Sequence, residues 1–118
     1  MAGLTTHVLD TANGRPAEGV RVELYSVEDG APARLLTSAV TNADGRTDSP
    51  MMESEAMAAG RYELVFHIGA YFAGRGHDLA EPAFLDQVPV RFAIADPTRH
   101  YHVPLLLSPY GYSTYRGS

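Results

Sequence analysis

Apolar and polar residues alternate with a period of two through most of the chain, the spacing of strands that turn one face to a core. Leu4, Thr6 and Val8 share one face while Thr5, His7 and Leu9 share the other, which predicts a first strand. Asn13-Gly14-Arg15-Pro16 then reads as a turn, because glycine accepts positive φ and proline fixes its own. Val20, Val22 and Leu24 resume the alternation against Arg21, Glu23 and Tyr25, until Glu28-Asp29-Gly30-Ala31-Pro32 interrupts it. A third strand is expected over residues 34–42, followed by Ala43-Asp44-Gly45-Arg46, whose Asp-Gly pair is common hairpin-turn chemistry.

Ser49 as an N-cap, Pro50 at the first helical position, good helix formers over residues 51–59 and Gly60 behind them predict a short helix. Tyr62, Leu64, Phe66 and Ile68 alternate strictly with Glu63, Val65 and His67, the clearest strand of the sequence. Residues 69–81 break the pattern and leave room for one helical turn at residues 70–73, ended by Gly74. Val88, Val90, Phe92 and Ile94 alternate with Pro89, Arg91 and Ala93, and the proline inside the run places it at a sheet edge or a strand start. Residues 100–107 and 112–116, joined by Ser108-Pro109-Tyr110-Gly111, predict an antiparallel hairpin. Many short strands with turn signals between them and little helix predict an all-β sandwich, a single domain over residues 1–118.

Composition narrows the chemistry. A chain of 118 residues buries roughly two thirds of its unfolded surface, so a core without staples is sufficient. It has no cysteine, which excludes disulfides, thiolate metal sites and cysteine nucleophiles. The net charge of −5 argues against nucleic-acid binding, which needs a dense basic face. All nine basic residues are arginine, so Schiff-base chemistry and a P-loop lysine are excluded as well. No apolar run approaches the roughly 18 residues of a membrane span, and neither a leader peptide nor a terminal Ser-Lys-Leu is evident; a cytoplasmic location is expected.

Alternation through His100-Tyr101-His102-Val103-Pro104-Leu105-Leu106-Leu107 sends Tyr101, Val103, Leu105 and Leu107 to the core, and His100, His102, Pro104 and Leu106 outward. His7 points outward by the same logic. A face carrying histidine and leucine together is suited to the floor of a site covered by another subunit. Taken alone, these histidines admit a plain surface or interface role. His100-x-His102 also has the spacing of a metal pair, but no cysteine exists and no carboxylate lies close in sequence to complete the ligands.

Four segments together, Leu4-Thr5-Thr6-His7-Val8-Leu9-Asp10, Asp44-Gly45-Arg46, Tyr101-His102-Val103-Pro104-Leu105-Leu106-Leu107-Ser108-Pro109 and Tyr115-Arg116-Gly117-Ser118, resemble the 5-hydroxyisourate hydrolase family of transthyretin-related proteins. The resemblance spans essentially the whole chain, and the Tyr-Arg-Gly-Ser tail is its most specific mark. It implies a two-sheet, transthyretin-like sandwich of about eight strands with one short helix. It also implies a homotetramer, a dimer of dimers, with active sites where outward sheet faces of different subunits meet. Over residues 51–59 it implies an irregular connection and a short strand, against the helix that local rules predict.

Carried over residue by residue, the family's catalytic positions are His7, Arg46, His102 and Ser118, with Tyr115 and Arg116 added as substrate-binding residues that shape the pocket. His67, His77 and His100 match no catalytic position. The implied reaction is hydrolysis of 5-hydroxyisourate to 2-oxo-4-hydroxy-4-carboxy-5-ureidoimidazoline in urate degradation, without metal or cofactor. A histidine would act as base for water, Arg46 would stabilise the oxyanion, and Ser118 would orient water or a ring oxygen. Which histidine is the base stays open in the sequence. A transthyretin-type carrier of small ligands is the alternative, since one fold serves several functions; a purely structural module ranks third.

Overall fold

The computed structural model describes residues 2–118, so Met1 of the expected domain lies outside the described residues. Eight strands run in chain order as β1 (Gly3–Asp10), β2 (Arg15–Pro16), β3 (Arg21–Ser26), β4 (Arg34–Val40), β5 (Gly60–His67), β6 (Gln87–Ile94), β7 (His100–Ser108) and β8 (Gly111–Thr114). They form two four-stranded sheets, ordered β2-β1-β7-β8 and β4-β3-β5-β6. One helix, α1 (Ile68–Gly74), follows β5. The fold is the all-β, two-sheet transthyretin-like sandwich that the resemblance implies.

The inward faces are those the alternation assigns. Leu4, Val8, Tyr101, Val103, Leu105 and Leu107 from one sheet meet Val22, Leu24, Leu64, Phe66, Val88, Val90 and Ile94 from the other, all buried. Each such side chain contributes about 1.5–3 kcal/mol by leaving water, which is what sets the register of every strand. Thr6 and Asp10 also face inward and are buried, with their polar atoms paired: the Thr6 hydroxyl donates to the Val103 carbonyl at 2.7 Å. Pro89 lies on β6, an edge strand whose far side needs no ladder hydrogen bond, as the proline predicts. The hairpin expected near the end of the chain is β7 and β8, paired antiparallel from Leu105↔Thr114 to Ser108↔Gly111.

Two local expectations change. No α-helix forms over residues 51–59; a 3-10 turn occupies Ser54–Ala56, and Met51 and Met52 run along the free edge of β1. There the Leu4 amide donates to the Met52 carbonyl at 3.0 Å and the Met51 amide to the Leu4 carbonyl at 2.7 Å, while both methionine side chains are buried. β2 covers β1 only at Leu9 and Asp10, so a helix here would orphan the backbone groups of Leu4 and expose two methionines. That tertiary demand outweighs a few tenths of a kcal/mol per residue of helix propensity. The helical turn expected at residues 70–73 grows in both directions into α1, because Ile68, Tyr71 and Phe72 are buried under it.

Candidate active site

β1 and β7 are adjacent and parallel, with Thr5 opposite His102 and His7 opposite Pro104. This pairing, between segments at the two ends of the chain, puts Thr5, His7, His100 and His102 on one outward face. The Thr5 hydroxyl lies 2.8 Å from His102 Nδ1 and 3.1 Å from His100 Nε2. Both nitrogens of the suspected metal pair that face β1 are thus engaged by an alcohol. Among the described residues no three His, Asp or Glu side chains are grouped to hold a metal ion.

Arg46 arrives from a turn that crosses between the sheets. The Gly45 amide donates to the Asn42 carbonyl at 2.9 Å, the Asn42 amide to the Arg46 carbonyl at 2.7 Å, and Asn42 Oδ1 accepts from the amides of Asp44 and Arg46. Gly45 has φ +75°, and a Cβ there would run into the Val8 carbonyl, so only glycine lets the turn sit this close to β1. The chain then pairs Arg46 antiparallel to His7. The Asp-Gly turn predicted from sequence is real, but it delivers Arg46 to the opposite sheet instead of closing a hairpin on β4. His7 Nε2 donates to the Asp44 carbonyl at 2.9 Å. A carbonyl can only accept, so Nε2 carries the proton and the basic nitrogen of neutral His7 is Nδ1.

The end of β8 and the tail beyond it are held at three points. The Thr114 hydroxyl donates to the Pro104 carbonyl at 2.7 Å, Arg116 donates to the His100 carbonyl at 3.1 Å, and the Gly117 amide donates to the His102 carbonyl at 2.8 Å. The Arg116 guanidinium also stacks 4.1 Å from the centre of the Tyr101 ring. Ser118 is thereby laid beside His102. Thr5, Arg46, Thr47, His100, His102 and Ser118 line a cavity of about 390 Å³. Tyr115 and Arg116, expected at the same site, instead line a separate groove of about 350 Å³ with Tyr101 and Thr114. Within one chain Arg116 serves the site by anchoring the tail through the His100 carbonyl and the Tyr101 ring.

Two larger grooves of about 520 Å³ lie elsewhere, and neither contains a histidine. Chemistry, not size, singles out the histidine cavity. Burial lowers the pKa of His102 below the usual histidine value, and Arg46, His7 and His100 push in the same direction, so the surroundings favour its neutral form. An unprotonated imidazole beside a permanent guanidinium is an arrangement for taking a proton from water while stabilising an oxyanion. His67 and His77 lie apart from it, His67 against Glu23 at 2.7 Å and His77 edge-on to Phe72. Sequence reasoning passed over Thr5, Asn42 and Gly117 as contributors; Thr5 shares the outward face of His7, and Gly117 lies inside the tail signature.

A model of the HIUase/transthyretin family matches residues 4–117. A protein of Rhizobium meliloti (strain 1021), named 5-hydroxyisourate hydrolase 2, is 62% identical over 115 residues, covering 98% of this chain and 95% of that one. The structure of Klebsiella pneumoniae 5-hydroxyisourate hydrolase superposes with a TM-score of 0.79 at 39% identity, covering 100% of both chains. Transthyretin from Sparus aurata superposes with a TM-score of 0.86 at 26% identity, covering 99% of this chain and 97% of that one. The fold is therefore common to hydrolase and transthyretin relatives, and the sequence lies nearer the hydrolases.

Proposed function

The chain belongs to the HIUase/transthyretin family, and from that premise we propose that His7, Arg46, His102 and Ser118 form the catalytic centre of a urate-degradation enzyme. The chain hydrolyses 5-hydroxyisourate. The observation that carries the site assignment is the convergence of Arg46, His102 and Ser118, from three separate segments, on one cavity with His7 paired to Arg46 at its rim.

His102 is the general base. Its Nδ1 is held by Thr5, and its Nε2 has no hydrogen-bond partner among the described residues. Nε2 takes a proton from water as the oxygen adds to a ring carbonyl carbon of the substrate. Negative charge gathers on the carbonyl oxygen, where Arg46 donates to it. When the carbon–nitrogen bond breaks, the proton returns to the leaving nitrogen, and the ring opens to the carboxylate product. Ser118 orients the attacking water. His7, with Nε2–H fixed on Asp44, keeps Nδ1 for the substrate.

The same proposal includes a homotetramer, a dimer of dimers. The cavity opens on an outward sheet face, and Phe84, Tyr110 and Tyr112 are large exposed aromatics near the β7–β8 turn, at the other end of β7, which together favour contacts with further copies. Light scattering after size exclusion reads the assembly. A cytoplasmic location completes the proposal: a chain without cysteine draws no stability from an oxidising compartment, and cell fractionation tests it.

The deciding experiment follows the ultraviolet decay of freshly generated 5-hydroxyisourate with wild type, with His102→Ala and in buffer. Acceleration by wild type and a spontaneous rate with the variant supports the site; equal rates for the two proteins remove His102 from it.

A further inference from the structure

The Thr5 hydroxyl faces two ring nitrogens, His102 Nδ1 at 2.8 Å and His100 Nε2 at 3.1 Å, and it has one proton. An alcohol donates once and accepts twice, so it cannot satisfy two bare nitrogens together. If it donates to His100 Nε2, it accepts from His102 Nδ1–H, which leaves His102 Nε2 with its lone pair. If it donates to His102 Nδ1, the order is reversed and His102 Nε2 holds the proton. The two tautomers are therefore linked through one oxygen.

We propose that the Thr5 hydroxyl is a proton bridge between His102 and His100, which makes Thr5 and His100 positioning residues of the hydrolysis. The inference rests on His102 being the base. When Nε2 takes the proton of water, His102 becomes a cation. Its Nδ1 proton then passes to Thr5 Oγ1 while the Thr5 proton passes to His100 Nε2, so the hydroxyl is unchanged and the positive charge sits on His100. The reverse shift restores the proton to His102 as Nε2–H is given to the leaving nitrogen. No proton is gained or lost over the cycle.

The surroundings favour that direction. His102 is half-buried beside Arg46, where a second positive charge is unfavourable, whereas His100 is exposed and solvated. The charged groups facing the pair are His7 from β1, Arg46 from the Asn42 turn, and Arg116, which reaches the His100 carbonyl from the tail. Gly3, opposite His100 in the register, contributes no side chain between the ring and Thr5.

The test compares wild type with Thr5→Val, Thr5→Ser, His100→Asn and the Thr5→Val/His100→Asn pair. Thr5→Val and His100→Asn should each lower kcat by about tenfold or more with KM nearly unchanged, and Thr5→Ser should restore it, as for loss of an acid–base element. The double variant should be no slower than the slower single, because the residues act as one unit. Nitrogen-15 NMR of the wild-type rings gives a reading that needs no variant to fold: titration of His100 should move the His102 Nδ1 signal in step. Wild-type rates in Thr5→Val, multiplicative losses in the double variant, or independent ring titrations overturn the bridge. Wild type that fails to hydrolyse 5-hydroxyisourate overturns the catalytic reading instead, and the NMR still judges the coupling.

Discussion

Gly117 lies against the ring of His102, so close that a Cβ on it would fall 2.5 Å from His102 Cδ2 and 3.3 Å from Cγ. The smallest residue in the tail signature is there because the imidazole occupies the space a side chain would need.

Gly117→Ala should push the tail off His102, break the 2.8 Å bond to the His102 carbonyl and carry Ser118 out of the cavity. The expected result is a fall of about tenfold in kcat with the melting temperature within a few degrees of wild type, since one half-buried hydrogen bond is worth about 1 kcal/mol. Full activity in this variant would mean that Ser118 has no part in the reaction.

The acid limb of the kcat/KM profile should lie below pH 6.5, because burial and then the charges of Arg46, His7 and His100 lower the pKa of His102, and only neutral His102 takes a proton from water. Arg46→Gln removes one of those charges, so the limb should move up in pH. The same change should lower kcat/KM by about a hundredfold through the lost oxyanion donor. For stability, a folded pKa below the unfolded one gives a contribution present above pH 6.5 and lost as pH falls through the folded value. Urea midpoints measured from pH 7.5 down to pH 5 should decline less in His102→Gln than in wild type.

Asp10 is buried at the far end of β1, where it accepts from the Tyr71 hydroxyl at 2.7 Å and from Asn13 Nδ2 and the Asn13 amide at 2.7 and 2.9 Å. Burial by itself would raise its pKa, but the bonds from Asn13 and Tyr71 hold the carboxyl below its usual range. Burial, together with the bond to Asp10, pushes the Tyr71 phenol up to about 12. Tyr71→Phe should cost about 1.5–3 kcal/mol in urea denaturation, the range for a hydrogen bond to a charged group, and leave kcat unchanged. A matching loss of kcat would tie α1 to the chemistry.

Gly45→Ala meets two obstacles at once, a φ of +75° and the Val8 carbonyl. Loss of stability of about 1–3 kcal/mol should accompany a fall in activity, because the turn that shifts carries Arg46. Wild-type stability would show that the Asn42 turn can open away from β1 without cost.

The all-β class, the inward face of nearly every strand, the edge position of Pro89 and the β7–β8 hairpin follow from the sequence by itself. Those features depend on period-two alternation, turn residues and the missing N–H of proline, which act over a few residues. Together with the four segments of the family resemblance, the sequence also marked His7, Arg46, His102 and Ser118.

Tertiary structure decided the rest. The helix expected over residues 51–59 gave way because Leu4 on β1 needed backbone partners and the two methionines needed burial. Arg46 reached His7 because a glycine turn could approach the Val8 carbonyl, and Arg116 turned to Tyr101 instead of the cavity. Above all, nothing local tells β1 to lie parallel beside β7. The Thr5 and His102 side chains that meet at 2.8 Å are 97 residues apart in the chain, and their meeting is set by which pairing buries both apolar faces at once. Burial is a property of the packed whole, so the contacts that tune His102 appear only when the two sheets have closed.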